Sequence, residues 1–300
     1  MGKITVVGSM STDFVVSTSR KPEKGETIIG ESFEMTFGGK GANQAVAISR
    51  LGGHSELVGH IGSDIFGKGI LTNLEDNGVG VSDINIAQGI PSGSAHIILS
   101  EQDNSIIVVE GANACTNKDW IEKNVGNIID SEAVLIQHEI PKEAVETLIN
   151  ICFEHQVLCV LNPAPAREVS RSVLRKVKYL TPNEHEVEAL FPNVSLEEAL
   201  ESMPNQLLVT LGERGVVFHN GKQVVQVKAY EATLIDTTGA GDTFSGAFTL
   251  AITKGNSLLD SIKIGNLCAA LSIQKFGAQG GIPLLDNLKK DPRFEAHWKL

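Results

Sequence analysis

Residues 133–163 read AVLIQHEIPKEAVETLINICFEHQVLCVLNP. Within this stretch two short apolar runs, Ala133–Gln137 and Val157–Leu161, enclose a segment with a helical pattern. Apolar runs of this length, bounded by turn-forming residues, are typical of strands buried on both faces. Comparable runs occur at Ile4–Val7, Leu57–Ile61 and Leu207–Leu211. The alternation predicts an α/β fold with a mostly parallel central sheet flanked by helices.

Two regions interrupt this alternation, residues 14–37 and 93–110. Over 33–37 apolar and polar residues alternate, which is the pattern of a strand with one wet face. In the second region two apolar runs lie on either side of a turn-like segment at 101–104. We interpret both regions as a small antiparallel β-flap that forms a lid. Ordinary edge strands without a gating role would give the same pattern.

The composition limits the class of protein. Of the 300 residues 42% are hydrophobic, enough to bury a large core in one domain spanning residues 1–300. A formal net charge of −11 argues against nucleic-acid binding and favours a small-molecule partner. We find no signal sequence, no apolar stretch of membrane length and no Cys-x-x-Cys pair. These observations predict a cytoplasmic protein with four reduced cysteines, at positions 115, 152, 159 and 268.

Polar or glycine clusters follow the apolar runs in strand after strand. The clusters are Gly8–Asp13, His138-Glu139, Asn162-Pro163, Asn183-Glu184 and Gly212–Gly215. Because the carboxyl ends of parallel strands border the ligand crevice of an open sheet, we expect these clusters to converge. Each member alone could instead be a turn former, a cap or a solvated charge. Their joint placement predicts a binding site.

The segment Asp236–Phe244 reads DTTGAGDTF and leads into a helical pattern that stops at Lys254-Gly255. Gly239–Gly241 therefore lies at a helix N-terminus, where unpaired N–H groups and the helix dipole favour an anion. Asp242 is placed to accept a proton from a hydroxyl that attacks a phosphoryl group. The alternative is that Asp242 is a helix N-cap and the glycines form a plain turn.

A second glycine-rich segment, Gly38–Gln44, reads GGKGANQ. Its backbone allows close approach of a ligand, and Lys40 and Asn43 bring donors that suit hydroxyl groups. Taken alone it could be a mere helix entry. It is not a P-loop, because no Ser or Thr follows Lys40, and the first strand lacks the dinucleotide fingerprint.

The two glycine-rich motifs resemble signatures of the ribokinase-like, or phosphofructokinase-B, carbohydrate kinases. Residues 236–246 resemble the C-terminal signature and residues 38–67 the N-terminal one, and the order of motifs fits over essentially the whole chain. Segments that resemble the ribose-phosphorylating members most are 162–167, 181–184 and 277–279. The resemblance implies a Rossmann-like core with a β-flap lid and ATP-dependent phosphorylation of D-ribose at its 5-hydroxyl. It also implies Mg²⁺ with ATP, K⁺ as an activator, and a homodimer formed through the flap.

The same resemblance assigns roles to residues of this chain. Asp242 is the implied catalytic base, beside an anion hole formed by Gly239, Ala240 and Gly241. The implied ribose-binding residues are Ser11, Asp13, Gly39, Lys40, Asn43, Glu139 and Asp242. The implied ATP-binding residues are Asn183, Thr210, Gly212, Glu213, Gly215, Gly241 and Asn266, with Asn183 and Glu186 organising magnesium through water. The implied potassium site comprises Asp236, Thr238, Ser272, Lys275, Gly277 and Gly281.

Two positions depart from the family pattern. Ser11 stands where asparagine is common before the sugar-binding aspartate, and Gly281 stands where serine is common in the potassium loop. Alternative functions are phosphorylation of deoxyribose, fructose or a nucleoside such as adenosine, and non-catalytic sugar or nucleotide sensing on the same fold. The missing dinucleotide fingerprint leaves a nicotinamide-dependent oxidoreductase as a remote third reading.

Overall fold

The computed structural model describes residues 2–100 and 103–300, and a six-stranded parallel sheet forms its centre. The strands, in spatial order, are β10 (Tyr179–Leu180), β9 (Leu158–Asn162), β8 (Ala133–Gln137), β1 (Lys3–Val7), β4 (His54–Gly62) and β5 (Ile84–Ala87). All neighbouring pairs are parallel. The chain extends the sheet in both directions from β1, so a topological switch point lies between β1 and β8. The predicted parallel sheet is confirmed.

Helices cover both faces of this sheet because successive strand residues point to opposite sides. In β8, Ala133 and Leu135 pack into one core, and Val134 and Ile136 pack into the other. The first core includes residues of α1 (Lys40–Arg50), α2 (Ile65–Asp76), α9 (Ala240–Thr253), α10 (Leu258–Ser272) and α11 (Leu285–Lys290). The second includes residues of α3 (Lys118–Lys123), α4 (Val125–Ile129), α5 (Lys142–Glu154), α6 (Arg171–Leu174), α7 (Glu184–Leu190) and α8 (Leu196–Ser202).

The predicted flap forms a four-stranded sheet that is separate from the central sheet. Its strands, in spatial order, are β3 (Ser32–Gly38), β2 (Ser11–Ser17), β6 (Gly93–Ser100) and β7 (Asp103–Val109). The two outer pairs are antiparallel as predicted, but the central pair, β2 with β6, is parallel. The physical reason is that β2 follows β1 and β6 follows β5, and these two parallel strands end at the same edge of the central sheet. Residues 101–102 of the predicted turn lie outside the described residues.

A third sheet carries the apolar run predicted at 207–211. It is antiparallel and consists of β11 (Leu208–Thr210), β12 (Val216–His219) and β13 (Val224–Val227). Two isolated parallel bridges, Leu180 to Leu207 and Asn183 to Thr210, connect β11 to the end of the central sheet. The run is therefore a strand, as predicted, but its regular ladder belongs to this smaller sheet.

Two glycines let α1 pack closely against its neighbours. An added Cβ at Gly41 would lie 2.7 Å from backbone atoms of Gly8 and Ser9. At Gly246 it would lie 2.8 Å from the carbonyl oxygen of Gln44 and 2.9 Å from the Cβ of Ala47. Because such contacts are shorter than close packing allows, a side chain at either position would push the elements apart. These glycines fix the distance from α1 to β1 and from α1 to α9.

The other expectations concern cysteines and membrane helices. Within the described residues all four cysteines are free, with Cys152, Cys159 and Cys268 buried and Cys115 partly exposed. Over residues 2–100 and 103–300, none of the helices is both long enough and apolar enough to cross a bilayer.

The Gly246→Ala substitution tests the close packing of α1 on α9. We expect it to lower the free energy of unfolding by about 1–3 kcal/mol, because the new methyl group overlaps the backbone of α1. The matched control is Gly126→Ala in α4, where an added Cβ meets no described atom within 4 Å. Alanine there should raise stability by up to about 1 kcal/mol, as it does at open helical positions. Urea unfolding of both variants measures the difference, and equal effects would contradict this account.

Candidate active site

The predicted polar clusters meet at the carboxyl edge of the central sheet, beside the switch point. The side chain of Gln44 in α1 donates hydrogen bonds to Asn162 at the end of β9 and to Asp242 in α9, at 3.0 and 2.9 Å. A cavity of about 600 Å³ opens between the flap and the segments at 234–238 and 276–278. Its lining includes Asp13 from the flap and Asp236 from the glycine-rich segment. Ser9 of the first predicted cluster donates to Glu139 of the second, and Asn183 of the fourth bridges to Thr210, just before the fifth. The predicted convergence of the clusters is therefore confirmed in part.

Asp242 lies in the first turn of α9 and is only 5% exposed. Each oxygen of its carboxylate accepts a side-chain hydrogen bond from α1. Oδ1 accepts from Gln44 Nε2 at 2.9 Å, and Oδ2 accepts from Asn43 Nδ2 at 3.0 Å. The helix N-cap is Gly239, so the alternative of Asp242 as an N-cap is wrong. Two amide donors therefore orient a buried carboxylate at the start of a helix.

The turn before Asp242 has the form that an anion site needs. Gly239 has φ of +74°, and an added Cβ there would lie 2.6 Å from the carbonyl oxygen of Ala278. Only glycine fits this position without strain. At Gly241 an added Cβ would meet no described atom within 4 Å, so the backbone faces open space. The N–H of Ala240 donates to the carbonyl oxygen of Thr237 at 3.2 Å, and the next N–H groups of the first turn of α9 remain as donors for an anion.

Several predicted sugar-binding residues are held by hydrogen bonds near the start of α1. Ser11 Oγ donates to Asp13 Oδ1 at 2.8 Å. Glu139 Oε2 accepts from the backbone N–H of Lys40 at 3.0 Å and from the hydroxyl of Ser9. Gly39, with φ of +88°, is the N-cap of α1 and brings its backbone within contact of β2. Ser9 was not singled out from the sequence.

Charges interact strongly across this part of the site. The carboxylate of Asp242, followed by those of Glu139, Glu186 and Asp13, raises the pKa of the Lys40 ammonium above its usual value. Burial raises the pKa of Asp13 to about 6, and the hydrogen bond from Ser11 opposes this shift. Lys40 therefore stays protonated, and its ammonium group interacts electrostatically with all four carboxylates.

Predicted nucleotide-binding residues lie at the junction of β10, β11 and α7. Asn183 caps α7, and its backbone N–H and side-chain amide donate to the two carboxylate oxygens of Glu186 at 2.8 and 3.0 Å. Burial raises the pKa of Glu186. Asn183 also bridges to Thr210, which precedes the turn at Gly212–Arg214. These contacts bring the predicted Asn-x-x-Glu pair beside β11.

The other predicted nucleotide-binding residues are spread along the same side. Glu213 is exposed in its turn, and Gly215, with φ of +89°, fits closely against the backbone at Val227. Asn266 in α10 donates from Nδ2 to the carbonyls of Val227 and Lys228 at 3.2 and 3.1 Å. Asn266 thus holds the end of β13.

The predicted potassium residues form two adjoining loops. Asp236 accepts hydrogen bonds from Thr238 on Oδ1, at 2.9 and 2.6 Å, and from the N–H of Gly277 on Oδ2 at 2.8 Å. An added Cβ at Gly281 would lie 1.8 Å from the carbonyl oxygen of Ser272. The carbonyl oxygen of Ser272 therefore packs directly against the backbone of Gly281, and no side chain fits at position 281 in this conformation. Lys275 is exposed, and only its backbone is available to such a site.

The chain matches the pfkB family carbohydrate kinase profile over residues 1–285. It is 44% identical over 290 residues to a ribokinase of Lactococcus lactis subsp. lactis, covering 96% of each chain. It is 42% identical over 290 residues to a ribokinase of Bacillus subtilis, covering 97% of this chain and 99% of that one. The chain belongs to the pfkB family of carbohydrate kinases. The solved structure of Arabidopsis thaliana ribokinase complexed with ribose and ATP is 29% identical, covers 96% of this chain and 98% of that chain, and has a TM-score of 0.86.

Membership of the pfkB family confirms the resemblance carried by the two glycine-rich motifs and the fold that it implied. A carbohydrate kinase needs a nucleotide with a divalent cation, a base for the sugar hydroxyl and donors for the transferring phosphoryl group. In this pfkB kinase, Gln44 contacts Asp242 directly, although our sequence analysis assigned it no role. Its signal in the sequence is a glutamine directly before the apolar run Ala45–Ile48.

The raised pKa of Asp13 predicts a stability that depends on pH. Below pH 3.8 the carboxyl group of Asp13 is protonated in both the folded and the unfolded chain, so its burial as a charge does not lower the free energy of unfolding. Between pH 3.8 and about 6 only the unfolded chain ionises, so the folded state loses stability as pH rises, and above about 6 the loss is complete. Asp13→Asn removes this charge. We expect the variant to be more stable than the wild type by roughly 2 kcal/mol at pH 7.5 and nearly equal at pH 4.

Urea unfolding at the two pH values measures this difference. The control is Asp119→Asn on exposed α3, which should change stability by less than about 0.5 kcal/mol at both pH values. A difference for Asp13→Asn that stays constant from pH 4 to 7.5 would show that burial does not perturb Asp13.

Proposed function

We propose that the protein transfers the γ-phosphoryl group of ATP to the 5-hydroxyl of D-ribose, giving D-ribose 5-phosphate and ADP. The observation that carries the proposal is the buried carboxylate of Asp242, held by two amides beside the glycine turn at the N-terminus of α9. A base and an anion site at one helix start are the two parts that phosphoryl transfer to a hydroxyl requires. The names of the 42–44% identical relatives support ribose as the sugar.

The sugar lies between the start of α1 and the flap in this proposal. Asp13, Lys40, Asn43 and Glu139 hydrogen-bond its hydroxyls, and Gly39 allows the sugar to approach the backbone. Ser11 acts mainly by orienting Asp13 through the bond to Oδ1. Several fixed polar groups select the hydroxyl pattern and hold the 5-hydroxyl in line for attack.

In the reaction, the 5-hydroxyl oxygen attacks the γ-phosphorus while its proton passes to the carboxylate of Asp242. The oxygen–phosphorus bond to the β-phosphate breaks, and ADP leaves with that electron pair. The N–H groups of Gly239 and Gly241 stabilise the negative charge on the equatorial oxygens, and that of Ala240 joins them once it leaves the carbonyl oxygen of Thr237. Lys40, kept protonated by the surrounding carboxylates, adds positive charge near the attacking hydroxyl.

The nucleotide lies along α7, β11 and α10, against Asn183, Thr210, Gly212, Glu213, Gly215, Gly241 and Asn266. Both oxygens of Glu186 already accept hydrogen bonds from Asn183, so this pair suits a magnesium ion held through water better than one bound directly. When bound, Mg²⁺ would neutralise charge on the β- and γ-phosphates. Asn183 and Glu186 would orient its water shell.

A potassium ion fits the two loops joined by Asp236. The ligands in this proposal would be mainly backbone oxygens of residues 236, 238, 272, 275, 277 and 281, and the close contact between the backbones of Ser272 and Gly281 supports the proximity of these segments. Glycine at 281 has no side-chain oxygen, so that residue would contribute only its backbone. A cation there would stiffen the loop that precedes the anion hole.

We further propose that residues 1–300 act as one kinase domain in which the flap is the lid, and that two copies pair through the outer face of the flap. That face is apolar: Phe14, Val16, Phe33, His96 and Ile98 line a hollow of about 310 Å³. Phe33 is 63% and Met35 52% exposed in the single chain. An apolar surface of this kind on a sheet favours association with a second copy.

Release of ADP from the purified protein with ATP and Mg²⁺ tests the function. We expect kcat/KM for D-ribose to exceed those for 2-deoxyribose, fructose and adenosine by at least about 10-fold, because a missing or displaced hydroxyl leaves buried polar groups unpaired. Replacing Na⁺ with K⁺ in the assay buffer should raise turnover. Asp242→Asn should lower kcat roughly 10²- to 10⁴-fold while D-ribose still binds.

Each alternative gives a different result in the same assay. A larger kcat/KM for another acceptor would reassign the sugar pocket but keep the kinase chemistry. Absence of turnover with every acceptor, together with measurable sugar binding, would favour the sensing function. An unchanged rate in Asp242→Asn would rule out Asp242 as the base.

Phe33→Asp tests the proposed dimer. In the dimer the new carboxylate would be buried without an opposite charge beside it. The variant should therefore sediment as a monomer at concentrations where the wild type is dimeric. Analytical ultracentrifugation measures both. The control is Phe153→Asp on α5, an equally exposed phenylalanine outside the flap, which should leave the dimer intact. A wild type that is monomeric at all concentrations would refute the pairing.

A further inference from the structure

Asp242 is held by two chains of amide side chains, each two residues long. In the first, Gln137 Nε2 donates to Gln44 Oε1 at 2.7 Å, and Gln44 Nε2 donates to Asp242 Oδ1 at 2.9 Å. In the second, Gln279 Nε2 donates to Asn43 Oδ1 at 3.0 Å, and Asn43 Nδ2 donates to Asp242 Oδ2 at 3.0 Å. Both oxygens of the carboxylate are thus held by amides, and Gln44, Gln137 and Gln279 lie outside the set of residues assigned to the sugar.

Gln44 has no freedom to turn its amide. The residue is fully buried, and its Nε2 donates both to Asp242 and to Asn162 Oδ1. Its Oε1 accepts from Gln137, so a flipped amide would face one donor and two acceptors with the wrong atoms. An interior hydrogen bond that is mismatched costs the full desolvation of the group. The network therefore fixes the amide of Gln44 so that its N–H group, and not its oxygen, faces Asp242.

Gln279 fixes the second chain in the same way. It donates to Asn43 Oδ1 and accepts from Asn73 Nδ2 at 2.9 Å. This bond places the Nδ2 of Asn43 toward Asp242. Gln279 belongs to the loop at 277–281, so α2, that loop and α1 all support the orientation of the carboxylate.

We propose that Gln44 is a positioning residue for the catalytic carboxylate, and that Gln279 has the same role through Asn43. The inference rests on the proposed function, because it assigns these amides a role in the reaction at Asp242. Neither glutamine needs to touch the sugar or the nucleotide. Each acts by holding the carboxylate in the orientation that receives the proton of the attacking hydroxyl.

A split between kcat and KM distinguishes positioning from sugar binding. Gln44→Met keeps the length of the side chain but removes both donors. We expect kcat to fall roughly 10- to 100-fold, because a base displaced by an ångström loses that much rate, and KM for D-ribose to change less than about 3-fold. Gln279→Met, one step further from the carboxylate, should show a smaller fall in kcat with the same unchanged KM.

The pH profile of kcat gives a second readout that a purely structural role would not move. The charged groups that face Asp242 are Asp13 of β2, Lys40 of α1 and Glu186 of α7, and Gln44→Met leaves them in place. An N–H donor favours the ionised carboxylate. Loss of this donor should therefore move the acid limb of the kcat profile to higher pH.

The matched control is Gln206→Met. Gln206 Nε2 also donates two hydrogen bonds, to the carbonyls of Leu174 and Val177 at 2.9 and 2.6 Å, but far from the site in sequence and structure. Its loss of stability should resemble that of Gln44→Met, whereas kcat and the pH profile should equal those of the wild type. Urea unfolding of each variant verifies that the chains compared are folded.

The outcomes separate this inference from the proposed function. A wild type without turnover of D-ribose would overturn the proposed function itself. An active wild type with an equally active, folded Gln44→Met would overturn only the positioning role. A rise in KM with kcat unchanged would also overturn it, because it would assign Gln44 to sugar binding. If Gln44→Met fails to fold, the kcat and pH profile of Gln279→Met decide the question.

Discussion

The geometry of the site depends on the close packing of α1 against α9. Gly246 admits the backbone of Gln44 to a distance that any side chain would prevent, and Gly41 does the same for the end of β1. Only at this distance do two neighbouring side chains of α1 reach both oxygens of Asp242. The helix that carries the proposed base and the helix that carries the proposed sugar donors thus form one rigid unit.

Four carboxylates from four different parts of the chain surround the ammonium group of Lys40 in α1. Asp13, Glu139, Glu186 and Asp242 all raise the pKa of Lys40, while burial raises the pKa of Asp13 and of Glu186. The folded chain keeps these groups because α1 and α7 pack into the two main cores and β2 packs through Val15 into a separate small apolar cluster. Sugar hydroxyls would bring the hydrogen-bond donors that such a set of carboxylates lacks, and a cation bound with the nucleotide would bring positive charge.

Features that depend on local sequence pattern could be predicted. The apolar runs predicted the strands, and the glycines predicted where α1 and α9 begin. The polar clusters after the strands predicted the candidate site, because strand direction decides at which edge of the sheet those clusters lie. The parallel pairing of β2 with β6 was missed, since it depends on where two distant segments leave the central sheet. Gln44 and Gln279 were missed for a related reason. Their roles exist only once the fold brings together partners that lie 198 and 236 positions apart in the sequence.

The flap and the sugar site share one strand. Asp13 lies in β2, three residues after the end of the loop that follows β1, and its neighbours Val15 and Phe14 point to opposite faces of the flap. Val15 lines the main cavity, whereas Phe14 lines the hollow on the outer face. A displacement of β2 therefore moves the carboxylate of Asp13, which we propose binds the sugar, together with the flap. Because the outer face of β2 is where we propose that a second copy binds, pairing of two chains would also restrain Asp13.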